Sequence, residues 1–385
     1  MSRLPKYVGP LAFGVKMGLI VHGMDIVKAV FDQLIRCHRD GLLDDGDIVC
    51  ITESVVARAQ NNYVTTADVA REVGEKLQLS PEDRLGLVFP IASRNRFALV
   101  LRGLSLALPR GEVVVQFSFP YDEVGNQVID PDFACSLGQE LITLEELGDR
   151  EFPHPVTGID YLRLYRDIVS EAGAVPRIIL CNDPLRILQY SPDGVIAADI
   201  HTRARTKALL AAHHPRCLTL DQLCNSGAVY SEWGLLGSNI SAGEKIKLAP
   251  REGPAIVAGL QQLAKEQLGV HLEVMIYGDG AYRDPTTGIY ELADPRTTVA
   301  ATAGLNRYRE GIKYKYLADH YYLEKGKSVA EIEKLLEEQK QNPGADKEAC
   351  EGTTPRRMED VVASLADLVS GSSDAGTPLV IVKGF

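Results

Sequence analysis

The sequence predicts a mixed α/β fold of the α+β kind, and three observations lead there. Segments with apolar residues three and four apart alternate along the chain with short apolar runs bounded by Gly, Pro, Asn or Asp, the patterns of amphipathic helices and buried strands. The chain has 385 residues, 45% hydrophobic and 24% charged, enough to bury a core and to divide into two or three units. Several strands stand alone between irregular stretches, which speaks against one regular doubly wound sheet.

The elements follow in order. "GMDIVKAVFDQLIRCHRDGLL" sets Ile26, Val27, Val30, Phe31, Leu34 and Ile35 on one face of a helix that closes at Gly41. "DDGDIVCITESVVARAQNNYV" reads as an Asp-Gly turn, a buried strand over 48–51, a polar break at Thr52, Glu53 and Ser54, and a short helix from Val55. "TTADVAREVGEKLQL" opens with threonines able to cap a helix. "RLGLVFPIASRNRFALVLRGLSLAL" and "GEVVVQFSFPYDEVGN" read as strands and turns, the first carrying Arg94, Arg96 and Arg102 among apolar residues.

Residues 132–224 hold a capped helix in "HPVTGIDYLRLYRDIVSEAG", a buried strand in "PRIILCND", and a strand, basic loop and helix in "GVIAADIHTRARTKALLAAHHP". Beyond 225 come a turn and strand in "GLLGSNISAGEKIKLAP", a helix ended by Gly269, and a strand in "VHLEVMIYGDG". "SVAEIEKLLEEQKQ" is a charged amphipathic helix and "NPGADKEACEGTTPRR" a solvated linker. A last helix, "MEDVVASLADLVSG", precedes "TPLVIVKGF", whose apolar run is stable only as a strand covered on both faces. The expected divisions are therefore 1–131, an inserted lobe at 132–224, a central block at 225–325, and a segment at 326–385 that returns to the core.

A net charge of −11 without a long basic run gives nucleic acid no electrostatic footing. The first residues lack a signal-type apolar core, and they contain no span of about 20 apolar residues, so a cytoplasmic protein without a membrane partner is expected. Seven cysteines without a C-x-x-C pair exclude a zinc ribbon and a disulfide framework, and leave most of them as small buried hydrophobes. His213, His214 and Cys217 have no second cluster at a matching spacing and read as a helix end.

Chemistry gathers first in "MIYGDGAYRDPTTGIYELADP". Asp279 stands where a strand ends, flanked by Gly278 and Gly280, a position from which a carboxylate meets a ligand or a hard cation. Arg283 offers a fork for a phosphate or carboxylate. Asp284, Glu291 and Asp294 read as solvated. Thr52 and Ser54 offer hydroxyls and helix-start amides beside Glu53, and Gly234, Gly237, Ser238 and Asn239 form a second tight turn. His201, Arg203, Arg205 and Lys207 would gather an anion if extended and form a solvated basic face otherwise. Tyr308, Tyr314, Tyr316, Tyr321 and Tyr322 read as core and dimer-interface aromatics. Taken singly, each of these signals is most often a plain turn, cap or surface.

Their order along the chain says more. "LLDDGDIVCITESVVARAQNNYV" resembles the first block of the coenzyme F420-0:L-glutamate ligase family, the γ-glutamyl ligases of deazaflavin cofactor biosynthesis. "SNISAGEKIKLAPREGPAIVAGLQQLAKEQLGVHLEVMIYGDGAYR" is similar to its central block, with Asp279 and Arg283 at the aspartate and arginine of "SDTFGR". "MEDVVASLADLVSGSSDAGTPLVIVKGF" resembles its closing helix and strand. The resemblance covers roughly the first 65 residues and most of 234–385.

The resemblance implies an F420-0 γ-glutamyl ligase-like fold with an inserted lobe, and a GTP-dependent ligase. It would phosphorylate a carboxylate of coenzyme F420-0 or a related acceptor and join L-glutamate to it through the acyl phosphate. It further implies Mg²⁺ or Mn²⁺ held by Asp279 and Glu53, K⁺ as an additional ion, and catalysis by Asp279 and Arg283. Thr52, Ser54, Ser238 and Asn239 would contact the nucleotide phosphates, and the expected assembly is a homodimer. Two positions depart from the family. Leu236 stands where "NAGVDxSN" has a second metal-ligating aspartate, and Gly280 replaces a threonine. Those departures keep two alternatives open: a glutamate ligase for another acceptor such as a folate, or a non-catalytic nucleotide-binding relative. Glu53 and Glu232 are the carboxylates expected to stand in for the missing aspartate, Glu53 by approaching the same cavity as Asp279.

Overall fold

The computed structural model describes residues 5, 7–138, 140–279, 282–283, 290–291, 294–309, 313–341, 356–370 and 376–385. Two sheets organise them. The first draws strands from both ends of the chain: β1 (Leu11–Val15), Leu379–Lys383, β2 (Ile48–Thr52), β12 (Glu273–Tyr277) and Thr298–Ala301, side by side in that order. Only the β2–β12 pair is parallel. The strand Leu379–Lys383, buried along its length, is paired on both sides, as its apolar run demands.

Period-two alternation decides which face each side chain joins. Val49, Ile51, Val274, Ile276, Leu379 and Ile381 pack under helix α1 (Ile26–Arg39) and the helix Gly253–Leu263. Ile48, Cys50, Met275, Tyr277, Val380 and Val382 face the helix Met358–Ser370 on the other side. The result is a three-layer α/β/α sandwich whose paired strands bring together Leu11 and Lys383, from the two ends of the sequence.

From β2 the chain passes through α2 (Glu53–Ala59), β3 (Tyr63–Thr65) and α3 (Thr66–Leu77) into a second sheet. The threonines cap α3 as expected: Thr65 and Asp68 form a reciprocal capping box. The sheet contains β4 (Arg84–Val88), β5 (Glu112–Phe117), β6 (Ile142–Thr143), β7 (Val175–Leu180), β8 (Gly194–Ala197) and β9 (Cys217–Thr219), ordered β6-β7-β5-β4-β8-β9. All pairs except β6–β7 are parallel. The five parallel strands thus run in the 3-2-1-4-5 order of a doubly wound fold, with the strand order reversing between β4 and β8. The lobe expected to start at 132 shares this sheet with β4 and β5, so the lobe of the structure is this whole sheet with its helices. Two short strands, β10 (Asn239–Ile240) and β11 (Lys245–Lys247), pair with each other, β11 also pairs with β3, and the chain then leads back to the first sheet.

Four expectations change. Residues 94–106 form a helix, α4 (Arg94–Leu106), where strands and turns were expected. The Ser93 hydroxyl accepts from the Arg96 amide and caps it, while Phe97, Val100, Leu101 and Leu104 supply the three-four spacing. α2 begins at Glu53, two residues early, because Thr52 still belongs to the strand. The basic stretch from Arg203 is helical, so its charges are not presented as an extended row. Tyr308 and Tyr322 are exposed, 66% and 53%, and do not belong to the core. Of the expected linker at 342–357, residues 342–355 lie outside the described residues, and Arg356–Arg357 form a short strand paired with Tyr308–Arg309.

Candidate active site

β12 ends at a register shift between Ile276 and Tyr277, where its pairing with Thr298–Ala301 becomes irregular and the chain turns outward. Gly278 donates to the Thr297 carbonyl at 2.8 Å, and a Cβ at this glycine would run into the Asp294 carboxylate. The absent side chain lets Asp294 tuck in behind the turn. There its Oδ2 accepts from the Asp279 amide at 2.8 Å. Asp294 is 2% exposed, so its expected role as a solvated carboxylate is corrected.

The cation that balances this pair comes from the lobe. Arg96, in the first turn of α4, donates from Nη1 to Asp294 Oδ1 at 2.8 Å and from Nη2 to Asp279 Oδ2. Its side chain is only 17% exposed. Burial works against the guanidinium's charge, but Asp294, Asp279 and Glu53 more than offset it and hold Arg96 charged. Burial, reinforced by the neighbouring Asp294, pushes Asp279 up to about 7 despite Arg96.

Glu53 completes the cluster. Its Oε1 accepts from Lys247 Nζ at 2.7 Å, an ion pair in which both side chains are largely buried. Its Oε2 is buried and meets no hydrogen-bond donor among the described residues. Burial raises the Glu53 pKa, with Lys247 opposing.

Around these groups lies a cleft of about 660 Å³. The first sheet contributes Thr52, Gly278 and Asp279; α2 contributes Glu53, Ser54 and Arg58; α4 contributes Asn95 and Arg96; β10 contributes Asn239. Gly18–Ile20, Asp367–Ser370 and Thr377–Pro378 form the remaining walls. Arg58 pairs with no other described residue. The cleft therefore sits where the C-terminal ends of β2 and β12 meet the first turn of α4, the helix that follows β4. Ligands of open α/β sheets enter at such points.

Five of the residues singled out in the sequence, Thr52, Glu53, Ser54, Asn239 and Asp279, line this one cleft. Glu53 does approach the cavity of Asp279 across more than two hundred residues. Ser238 is apart from them, 2% exposed and donating to the Leu235 carbonyl at 2.7 Å. Arg283 belongs to a short hairpin with Tyr290–Glu291, and its side chain lies outside the described residues, as do Gly280 and Asp284. Glu232 accepts from the Glu252 amide at 2.9 Å and does not line the cleft. Leu236 is buried in the lobe's apolar core.

Arg203 pairs with Asp221 at 2.8 Å and Lys207 reaches Gln222, so these two basic residues hold the lobe together. Arg96, Arg58, Asn95 and Asp294 were missed as site residues. The Ser93-Arg94-Asn95-Arg96 start of α4 was the available signal for two of them.

A divalent ion fits this arrangement poorly. No group of three His, Cys, Asp or Glu side chains lies within reach of one ion among the described residues. Asp279 and Asp294 already hold Arg96, and Glu53 holds Lys247.

The model of the family described as F420-0:Gamma-glutamyl ligase matches residues 14–384 of the chain. Among curated proteins, none matches it. No described helix is long and apolar enough to cross a membrane.

Proposed function

Because the chain belongs to the F420-0:gamma-glutamyl ligase family, we propose that its cleft joins L-glutamate to a carboxylate of coenzyme F420-0 or a related small-molecule acceptor at the expense of GTP. The γ-phosphoryl group passes to the acceptor carboxylate, giving an acyl phosphate and GDP. The glutamate amine then attacks the acyl carbon. A C–N bond forms, the C–O bond to phosphate breaks, and phosphate and a proton leave.

One observation carries this reading. A cluster of three carboxylates and two cations, gathered from β2–α2, α4, β11, the end of β12 and the segment ahead of Thr298–Ala301, stands at a cleft large enough for more than one reactant. Positive charge held in place, as on Arg96 and Arg58, is what a transferring phosphoryl group and a tetrahedral acyl intermediate need, since both develop negative charge. Arg96 and Arg58, the latter pairing with no other described residue, are the groups suited to phosphate or carboxylate oxygens. Asn239 and the hydroxyls of Thr52 and Ser54 suit the remaining polar contacts. We assign no step to a metal ion. The protein works as a cytoplasmic homodimer in this reading.

The test is phosphate release by the purified protein with GTP, L-glutamate and the deazaflavin acceptor, added singly and together. The expected result is release only when all three are present, falling roughly 100-fold or more in Asp279→Asn with folding intact. Release independent of glutamate, or unchanged in the variant, would overturn it. Leu236, buried in the position of a family aspartate, favours the second reading, a relative that binds nucleotide without turnover. Nucleotide binding without any product would be its signature.

A further inference from the structure

Two aspartates at the end of a strand are the donors a hard cation would seek, yet here a guanidinium has reached them first. Arg96 meets both carboxylates with separate arms of one planar fork, Nη1 on Asp294 and Nη2 on Asp279. The second oxygen of Asp294 is fixed by the Asp279 amide at 2.8 Å. On the far side of the cluster Lys247 takes one oxygen of Glu53. Each described carboxylate of the cluster thus has a permanent cation from the chain itself.

A divalent ion at the pair would have to take the oxygens that Arg96 now holds and would then sit against a charge of its own sign. We propose that Arg96 takes the place of a divalent cation at the Asp279–Asp294 pair, so that this part of the site is charged by a side chain of the lobe and not by a metal. A guanidinium is always charged and weakly hydrated, and it fixes carboxylates bidentately, so it holds the pair without an exchangeable ion. It also ties the charge of the site to the lobe: α4 cannot move away from β12 without stripping the aspartates of their cation. This inference rests on the ion cluster alone, not on the ligase reading.

Manganese binding to the whole protein, without nucleotide and read by electron paramagnetic resonance, tests it. The wild type and Asp279→Asn are expected to give the same Mn²⁺ isotherm. Arg96→Gln, which frees both aspartates, is expected to gain a site about tenfold tighter or more, and Arg96→Gln/Asp279→Asn to lose it again. Equal binding by the wild type and a folded Arg96→Gln would overturn the proposal. So would a wild-type site abolished by Asp279→Asn, a result that does not depend on any Arg96 variant folding. None of these readings involves turnover, so failure of the ligase assay would leave them intact.

Discussion

Lys247 and Glu53 expose only 6% and 13% of their side chains, and at 2.7 Å each is the other's nearest opposite charge. Removing one partner leaves a buried charge alone, which is worse than removing both. Lys247→Met is therefore expected to lower the unfolding free energy by about 3 kcal/mol, and Glu53→Gln/Lys247→Met by less. Urea titrations of the two variants check the order, and equal losses would refute it. Asp122 makes a different residue-scale case. Its carboxylate accepts from the amides of Ala92, Val124 and Asn126 and from Asn126 Nδ2, tying the loop after β4 to the loop after β5. Burial nevertheless pushes it up to about 6. Between roughly pH 4 and 6 the folded chain then holds a proton that the unfolded chain has released, so this group's contribution to stability falls as pH rises through that window. Unfolding followed at pH 4.5, 5.5 and 6.5 should show a shallower fall in Asp122→Asn than in the wild type.

At the scale of elements, the strand Leu379–Lys383 is the clearest dependency. It pairs with β1 on one side and β2 on the other, and all five of its residues are buried. Deleting 377–385 opens two strand edges and uncovers both apolar layers, so the truncated chain is expected to be insoluble; a soluble product that unfolds cooperatively would contradict this. That strand was legible because four consecutive apolar residues admit few other placements, and β2, α1 and the helix Met358–Ser370 were legible for similar reasons of period. α4 was not, although its spacing is helical. Its apolar residues lie so close together that the stretch also passes for a run of strands, and the Ser93 cap decides the matter only when it is weighed. The site divided along the same line. Asp279, Glu53, Thr52, Ser54 and Asn239 sit beside turns, where sequence marks a position, and they converge. Arg96 and Asp294 owe their roles to contacts 198 residues apart, which no local pattern encodes.

For the whole molecule, the cleft belongs to neither sheet alone, since Thr52 and Asp279 come from one and Asn95 and Arg96 from a helix of the other. Bound reactants should therefore slow amide exchange together in 18–20, 52–58 and 95–96, three segments that are distant in sequence. Exchange measured with GTP, acceptor and glutamate present tests this, and protection confined to one segment would contradict a shared cleft. The two sheets also differ in when they can exist at all. Every strand of the lobe lies between Arg84 and Thr219, so a growing chain can assemble that sheet as soon as this stretch has left the ribosome. The first sheet must keep β1 and β2 waiting until residues 379–383 are made, more than three hundred residues after β2. Throughout that interval the apolar faces of β1, β2 and α1 are without their central partner. Synthesis, more than the finished fold, is where this protein is most exposed to aggregation, and a chaperone holding its first sixty residues would act at the moment of greatest need.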